Sequence, residues 1–300
     1  MKKRLKTGTI ILIVCCVIGL CALLYPSVSN YWNENFAAKA VTQYEQHLVN
    51  LTEDDYQKMW EAAIRFNNAS RASSTQLPAD ASDMEEYNSC LNVAGTGMMG
   101  YIEIPSINVN LPIFHGTSQD VLETSVGHLE WSSLPTGGLG THCLLSGHRG
   151  LPSAKLFTDL DKLREGDTFT LSILDQDLTY EVDQIRTVLP TDLSDLMQQP
   201  TQDLCTLITC TPYGINTHRL LVRGHRIQTD SGLVRVISEA VQIDEVMVAI
   251  VLSIPVLFLL VMAVMLKKPK KVKKIEVLLR ELQTMESEKD EGNGKNASQN

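Results

Sequence analysis

Two long apolar runs lie near the two ends of the 300-residue chain. Residues 9–25 carry no charge and follow a short basic segment, residues 1–8, whereas residues 246–266 form a run of 21 apolar or small residues. A helix of about 20 apolar residues spans the hydrocarbon core of a bilayer. We therefore expect a transmembrane helix at residues 246–266. For residues 9–25 we expect an uncleaved membrane anchor, to which a cleaved signal peptide is the alternative.

Basic residues flank each apolar run on the side of the nearer terminus. Residues 1–6 hold four of them, and residues 267–300 hold nine against six acidic residues. Because such clusters stay in the cytoplasm, both termini are predicted to be cytoplasmic, with residues 267–300 as a tail and residues 26–245 outside the cell. Residues 7–266 carry 29 acidic and 13 basic residues. That balance repels phosphates and disfavours nucleic acid as a partner.

Apolar side chains recur at helical spacing across residues 33–70. Thr52 followed by Asp55 is typical of a helix N-cap, so two helices are predicted to meet at that point. Residues 68–83 are rich in Ala, Ser and Asp and predict a loop. We therefore expect a helical and loop region over residues 33–96.

Short β-like runs alternate with turn signals over residues 97–228 and predict a separate β domain. The alternation predicts strands at 100–104, 107–113, 141–147, 168–174, 178–189, 204–209 and 219–227. Residues 153–167 predict a short helix with Leu156, Leu160 and Leu163 on one face. Many short strands with little helix favour a β-sandwich or a closed barrel.

A thiol and a guanidinium stand at the ends of two neighbouring predicted strands. Cys210 ends one strand, Thr211-Pro212-Tyr213-Gly214 turns the chain, and Arg219 begins the next strand. Antiparallel pairing would bring Cys210 and Arg219 together, and a cation beside a thiol favours the thiolate. His148 also follows an apolar run at a glycine-rich turn, where it could serve as the proton partner of a cysteine nucleophile. An inert core thiol with a structural His and Arg is the alternative.

The other cysteines do not predict a metal centre. Their spacing matches no CxxC pattern, and we expect no metal and no cofactor. Cys143 and Cys205 are predicted to be buried free thiols that act as small apolar residues, to which a disulfide is the alternative. Cys205 and Cys210 lie five apart on one strand, so they should face opposite sides of it.

Several long segments resemble one family. TLITC at 206–210 is similar to the TLxTC signature of sortases, the membrane-anchored cysteine transpeptidases of Gram-positive bacteria. The longer string TLITCTPYGINTHRLLVRG resembles the class C, pilus-assembling branch. The segments GYIEIPSINVNLPIFHGT at 100–117, GHLEWSSLPTGG at 127–138 and SGHRGLPSAKLFTDLDKLREGD at 146–167 resemble that branch too.

The resemblance implies an eight-stranded β-barrel with His148, Cys210 and Arg219 as catalytic residues. It further implies cleavage of an LPxTG-like sorting signal and transfer of the acyl group to a lysine amine of a pilin subunit. Anchoring of surface proteins to peptidoglycan, hydrolysis by water, and a non-catalytic membrane-tethered barrel are the alternatives. Class C members commonly carry a lid with an Asp-Pro-aromatic motif. The nearest stretch here, residues 77–80, does not match it, so weak self-inhibition is expected.

Overall fold

The computed structural model describes residues 7–72 and 80–228, together with positions 278, 280, 281, 284 and 285. The predicted transmembrane helix at 246–266 lies outside the described residues. So do most of the predicted cytoplasmic tail and most of the stretch nearest to the lid motif, residues 77–80. Residues 21–237 belong to one compact unit, and the residues before them belong to a second unit.

Three helices precede the β domain: α1 (Thr7–Leu48), α2 (Glu53–Ala72) and α3 (Ala81–Ser89). α1 continues from the predicted anchor into the predicted extracellular helix without a break. Among the described residues, the stretch Val14–Leu48 of α1 is long and apolar enough to cross a membrane by length and composition. The prediction of a loop over 68–83 was wrong at both ends, because α2 and α3 extend into it.

Two sets of polar contacts fix the helical segment. The Thr52 amide donates to Asp55 Oδ2 (2.9 Å), and the Asp55 amide donates to Thr52 Oγ1 (3.3 Å). This reciprocal pair confirms the predicted N-cap between α1 and α2. On α1, the buried Tyr44 hydroxyl donates to the Met99 carbonyl (2.9 Å) and accepts from the Leu174 amide (2.9 Å). These bonds attach α1 to the β domain.

The β domain contains eight strands. They are β1 (Met98–Ile104), β2 (Val109–His115), β3 (Val126–His128), β4 (Thr141–Ser146), β5 (Thr168–Ile173), β6 (Gln176–Val188), β7 (Asp203–Thr211) and β8 (His218–Arg226), with a short helix α4 (Gln119–Leu122) between β2 and β3. They close into a barrel in the order β1-β2-β3-β4-β7-β8-β6-β5. The predicted eight-stranded closed barrel is therefore confirmed. In it, β2 pairs with β3, and β4 with β7, in parallel.

Two local predictions need correction. β3 was missed because three residues, all buried, are too few to show alternation. The helix predicted within 153–167 is a single 3₁₀ turn, Leu160–Lys162. The chain before this turn is not helical, and Leu156 adopts a left-handed conformation with φ of 39°. The three leucines of that segment are nevertheless buried.

The barrel interior is filled by apolar side chains from alternate strand positions. The largest fully buried ones on the strands include Tyr180, Phe169, Met99, Ile102, Ile104, Ile113 and Leu145, and Phe157 of the β4–β5 connection joins them. Cys143 and Cys205 occupy paired positions on β4 and β7, and both are buried free thiols, as predicted. Burial raises the pKa of the Cys205 thiol well above its ordinary value.

Candidate active site

Cys210 lies near the end of β7 on the outer face of the barrel. Successive side chains of a strand point to opposite faces. Cys205 and Leu207 belong to the barrel core, whereas Ile208 packs in a separate outer cluster. Cys210 shares the outer face with Ile208 and is partly exposed. The thiol is thus reachable from solvent, whereas that of Cys205 is sealed inside the barrel, as the alternation predicted.

Arg219 lies directly opposite Cys210 in the antiparallel pair of β7 and β8. The loop between the strands therefore places the two residues at opposite positions of the pair, as predicted. Arg219 is partly buried, and its Nη1 donates to the carbonyls of Asn216 (3.3 Å) and His218 (3.1 Å). These bonds hold the side chain at the start of β8, and a guanidinium has further N–H donors that can meet an anionic oxygen. His218 sits at the neighbouring position, so it points to the other face.

His148 follows directly after β4, which pairs in parallel with β7, the strand that carries Cys210. The last paired positions are Ser146 and Ile208, two residues before His148 and Cys210 respectively. The Gly147 amide donates to the Ile208 carbonyl (3.1 Å), so the two segments are still joined one residue before His148. The neighbouring strands β4, β7 and β8 thus place the three residues predicted to form the site at the same end of the barrel.

The turn after His148 contacts the segment after Cys210 through Arg149 and Tyr213. The sequence did not predict these contacts. Arg149 is largely buried, forms an ion pair with Asp161 and approaches Thr211 Oγ1 (3.5 Å). The Tyr213 ring covers Gly150, where a Cβ atom would come within 2.9 Å of the ring. Gly150 also has φ of 76°, a backbone conformation that favours glycine. An arginine after a glycine-flanked histidine was visible in the sequence, but its partners were not.

A second apolar cluster supports the site from outside the barrel. Leu144, Ile208 and Leu221, from the same three strands, pack there with Leu196 of the β6–β7 connection, and all four are buried. These strands are therefore packed on both faces, against the barrel core on one side and this cluster on the other. Such packing restrains the backbone of β4, β7 and β8, and side chains held by packed strands keep their relative positions.

The remaining buried histidines are engaged elsewhere. His128 Nδ1 faces the Tyr87 hydroxyl (2.9 Å), and its Nε2 faces the Ser133 carbonyl (2.9 Å). His142 Nε2 faces Thr206 Oγ1 (2.7 Å), and burial lowers the pKa of this imidazole. Within residues 7–72 and 80–228, no group of three or more His, Cys, Asp or Glu side chains is arranged to hold a metal ion.

Comparison with known proteins places the barrel in one family. The family model of the sortase domain matches residues 102–227. The chain is 53% identical to sortase C1 from Streptococcus agalactiae, whose structure is solved, and the TM-score is 0.62. The matched region covers 64% of this chain and all of that chain. The chain belongs to the sortase family. It therefore belongs among the cysteine transpeptidases, which is the activity class that the sequence predicted.

Two further relatives extend the comparison. Sortase C of Clostridium perfringens, solved with the C-terminal cell wall sorting motif, is 42% identical, with a TM-score of 0.57; the matched region covers 64% of this sortase and all of that chain. Sortase D of Bacillus subtilis is 30% identical over 184 residues, which are 60% of this sortase and 88% of that protein. The Streptococcus and Clostridium structures are both class C sortases, in agreement with the long motifs that resemble that branch.

Proposed function

We propose that this sortase assembles pili, with Cys210 as nucleophile, His148 as general acid and base, and Arg219 as stabiliser of the oxyanion. Its substrates would be a pilin carrying an LPxTG-like sorting signal and a lysine amine of a second pilin. The observation that carries the proposal is the direct pairing of Cys210 with Arg219 across β7 and β8, with His148 just after the end of β4, the parallel neighbour of β7.

In the first half-reaction, the Cys210 thiolate attacks the threonyl carbonyl carbon of the sorting signal. Arg219 stabilises the negative charge that develops on the carbonyl oxygen. The bond to the following glycine nitrogen then breaks, and His148 gives its proton to the departing amine. The product is a thioester between the threonyl carbonyl and Cys210.

In the second half-reaction, a lysine amine attacks that thioester, and neutral His148 accepts its proton as the thiolate leaves. Free lysine has a pKa of about 10.4, so only about one molecule in two thousand carries a neutral amine at pH 7. The enzyme must therefore gather and deprotonate the acceptor, which gives His148 a role in both halves of the reaction. The new isopeptide bond joins the two pilins.

The pilin acceptor is supported by the class C resemblance of the segments around His148 and Cys210 and by the class C neighbours. We test it with the full-length protein in detergent, a pilin bearing the sorting signal, and a pilin acceptor. The expected product is a ladder of pilins that survives boiling in detergent. Ready use of short oligoglycine with hydrolysed pilin as the other product would instead favour anchoring to peptidoglycan.

Two variants test the nucleophile. Cys210→Ala should abolish turnover of a sorting-signal peptide, whereas Cys205→Ala, the matched control on the same strand, should leave it active. Mass spectrometry of the trapped thioacyl adduct locates the acyl group. An adduct on Cys205, or turnover by Cys210→Ala, would contradict the assignment.

The proposal includes a membrane arrangement. The apolar part of α1 would be the first anchor, residues 246–266 the second, and the catalytic domain over 97–228 would lie outside the cell. The support is the pair of basic clusters at the two ends of the chain. Protease added to intact protoplasts should digest the middle of the protein and spare a C-terminal tag. Loss of that tag would place the C-terminus outside.

A further inference from the structure

The loop that follows His148 is closed at its neck. Residues 149–156 leave from His148 and return to Phe157, whose amide donates to the His148 carbonyl (3.1 Å). The first half of the loop is held from the barrel side, since the Gly150 amide donates to Thr158 Oγ1 (3.1 Å). Any movement of the returning half of the loop is therefore transmitted through Phe157 to the backbone of His148.

The returning half of this loop is held by α1. Asn33 Nδ2 donates to the Ser153 carbonyl (2.6 Å), and the Lys155 amide donates to Asn30 Oδ1 (2.8 Å). Asn30 also donates through Nδ2 to Glu34 Oε1 (2.8 Å), which turns its oxygen toward the loop. Two asparagines one helical turn apart thus bind one acceptor and one donor of the loop backbone.

A cavity of about 190 Å³ lies at this place, and it is lined by Asn30, Asn33, Lys155 and Leu156 among others. Ala154 and Leu156 of the loop are buried in the same apolar cluster as Ala37 of α1. The two hydrogen bonds therefore add directional contacts to apolar packing that the cavity leaves incomplete. Leu156, next to the bonded Lys155, has φ of 39°, a conformation that costs a leucine about 1–2 kcal/mol. The loop needs external contacts to keep this shape.

We propose that Asn30 and Asn33 are positioning residues that hold His148 in place for proton transfer, so that the helix ahead of the barrel is part of the catalytic apparatus. This inference rests on the proposed role of His148. Without the two bonds, the returning half of the loop can relax at Leu156 and displace His148 relative to Cys210. We expect proton transfer to suffer more than peptide binding, because the displaced group is the proton donor and not the nucleophile that bonds to the peptide.

The test compares the full-length Asn30→Ala, Asn33→Ala and doubly substituted enzymes with Asn35→Ala. Asn35 is the matched control, because it lies on the same helix and, within the described part of the chain, its Nδ2 bonds to the Tyr31 carbonyl of that helix. For a sorting-signal peptide, we expect kcat of the double variant to fall about tenfold, because misplacing His148 removes part of the rate gain from acid–base catalysis. KM should stay within twofold of the value for the unsubstituted enzyme. Asn35→Ala should match the unsubstituted enzyme.

Two readouts separate positioning from general damage. A substrate whose scissile amide is replaced by a thioester releases a thiol, which needs little help from a proton donor. In single-turnover measurements of the acylation step, the double variant should therefore lose about tenfold on the amide but less than threefold on the thioester. Asn33→Asp is isosteric yet lacks the donor, so it should behave like Asn33→Ala, whereas Asn33→Gln should recover part of the rate.

The outcomes also distinguish the positioning role of Asn30 and Asn33 from the proposed role of His148. Equal losses on amide and thioester, or a kcat of the double variant within twofold of normal, would overturn the positioning role of Asn30 and Asn33 alone. Full activity of His148→Ala would overturn the proposed function itself, whatever the asparagine variants do. Thermal unfolding of every variant confirms that each is compared as a folded protein.

Discussion

One buried hydroxyl, that of Tyr44, helps attach α1 to the barrel, and its removal should be costly. Tyr44→Phe keeps the ring but deletes the oxygen that bonds to the Met99 carbonyl and the Leu174 amide. Tyr44 is 2% exposed, and Met99 and Leu174 are 0% exposed. Water therefore cannot replace the lost partner without opening the interface.

The magnitude follows from these contacts. Two hydrogen bonds contribute about 1 kcal/mol each, and a buried polar group left without a partner costs about 1–3 kcal/mol. We expect Tyr44→Phe to lower the free energy of unfolding by about 2–4 kcal/mol. For a domain of roughly 200 residues, each kcal/mol shifts Tm by about 2–4 °C. The melting temperature should therefore fall by about 5–15 °C in a thermal unfolding experiment followed by circular dichroism.

Tyr56→Phe is the matched control for this experiment. Its hydroxyl donates to the Leu48 carbonyl (2.8 Å) at a partly exposed position, where water can take over the bond. We expect a loss of about 1 kcal/mol or less. If the two variants melt at the same temperature, or if Tyr44→Phe melts within 2 °C of the unsubstituted protein, the reasoning about buried unpaired groups is wrong for this interface.

Three further predictions concern the barrel and the site. Burial lowers the pKa of His142 in the folded protein. Between about pH 6.5 and the lowered pKa, the unfolded chain binds a proton that the folded protein does not, so stability falls as the pH falls. His142→Gln should reduce the dependence of the unfolding free energy on pH by up to about 1.4 kcal/mol per pH unit. Arg149→Met should slow sorting-signal cleavage about tenfold, because the two turns lose their bridge, and Asp161→Asn should have a smaller effect in the same peptide assay. Iodoacetamide at neutral pH should modify Cys210 of the folded protein but not Cys90, because burial raises the pKa of Cys90 to about 11; peptide mapping locates the label.

Local sequence patterns predicted much of the barrel and of the candidate site. Alternation of apolar and polar positions located seven of the eight strands, because a strand with one buried face repeats every two residues. The same alternation placed Cys205 inside and Cys210 outside. The turn between Cys210 and Arg219 is short, so their pairing across β7 and β8 could be predicted from the chain alone.

Only the tertiary structure decided the contacts between distant parts of the chain. The parallel pairing of β4 with β7 joins residues about 60 positions apart, and no local pattern specifies which two parallel strands become neighbours. His148 follows β4 and Cys210 lies near the end of β7, so that pairing brings both residues to the same end of the barrel. The bonds from Asn30 and Asn33 to the loop after His148 span 125 and 120 residues. An asparagine on a helix has the same local propensity whether it faces water or a distant loop, so its partner is fixed only when the packed chain brings the two together.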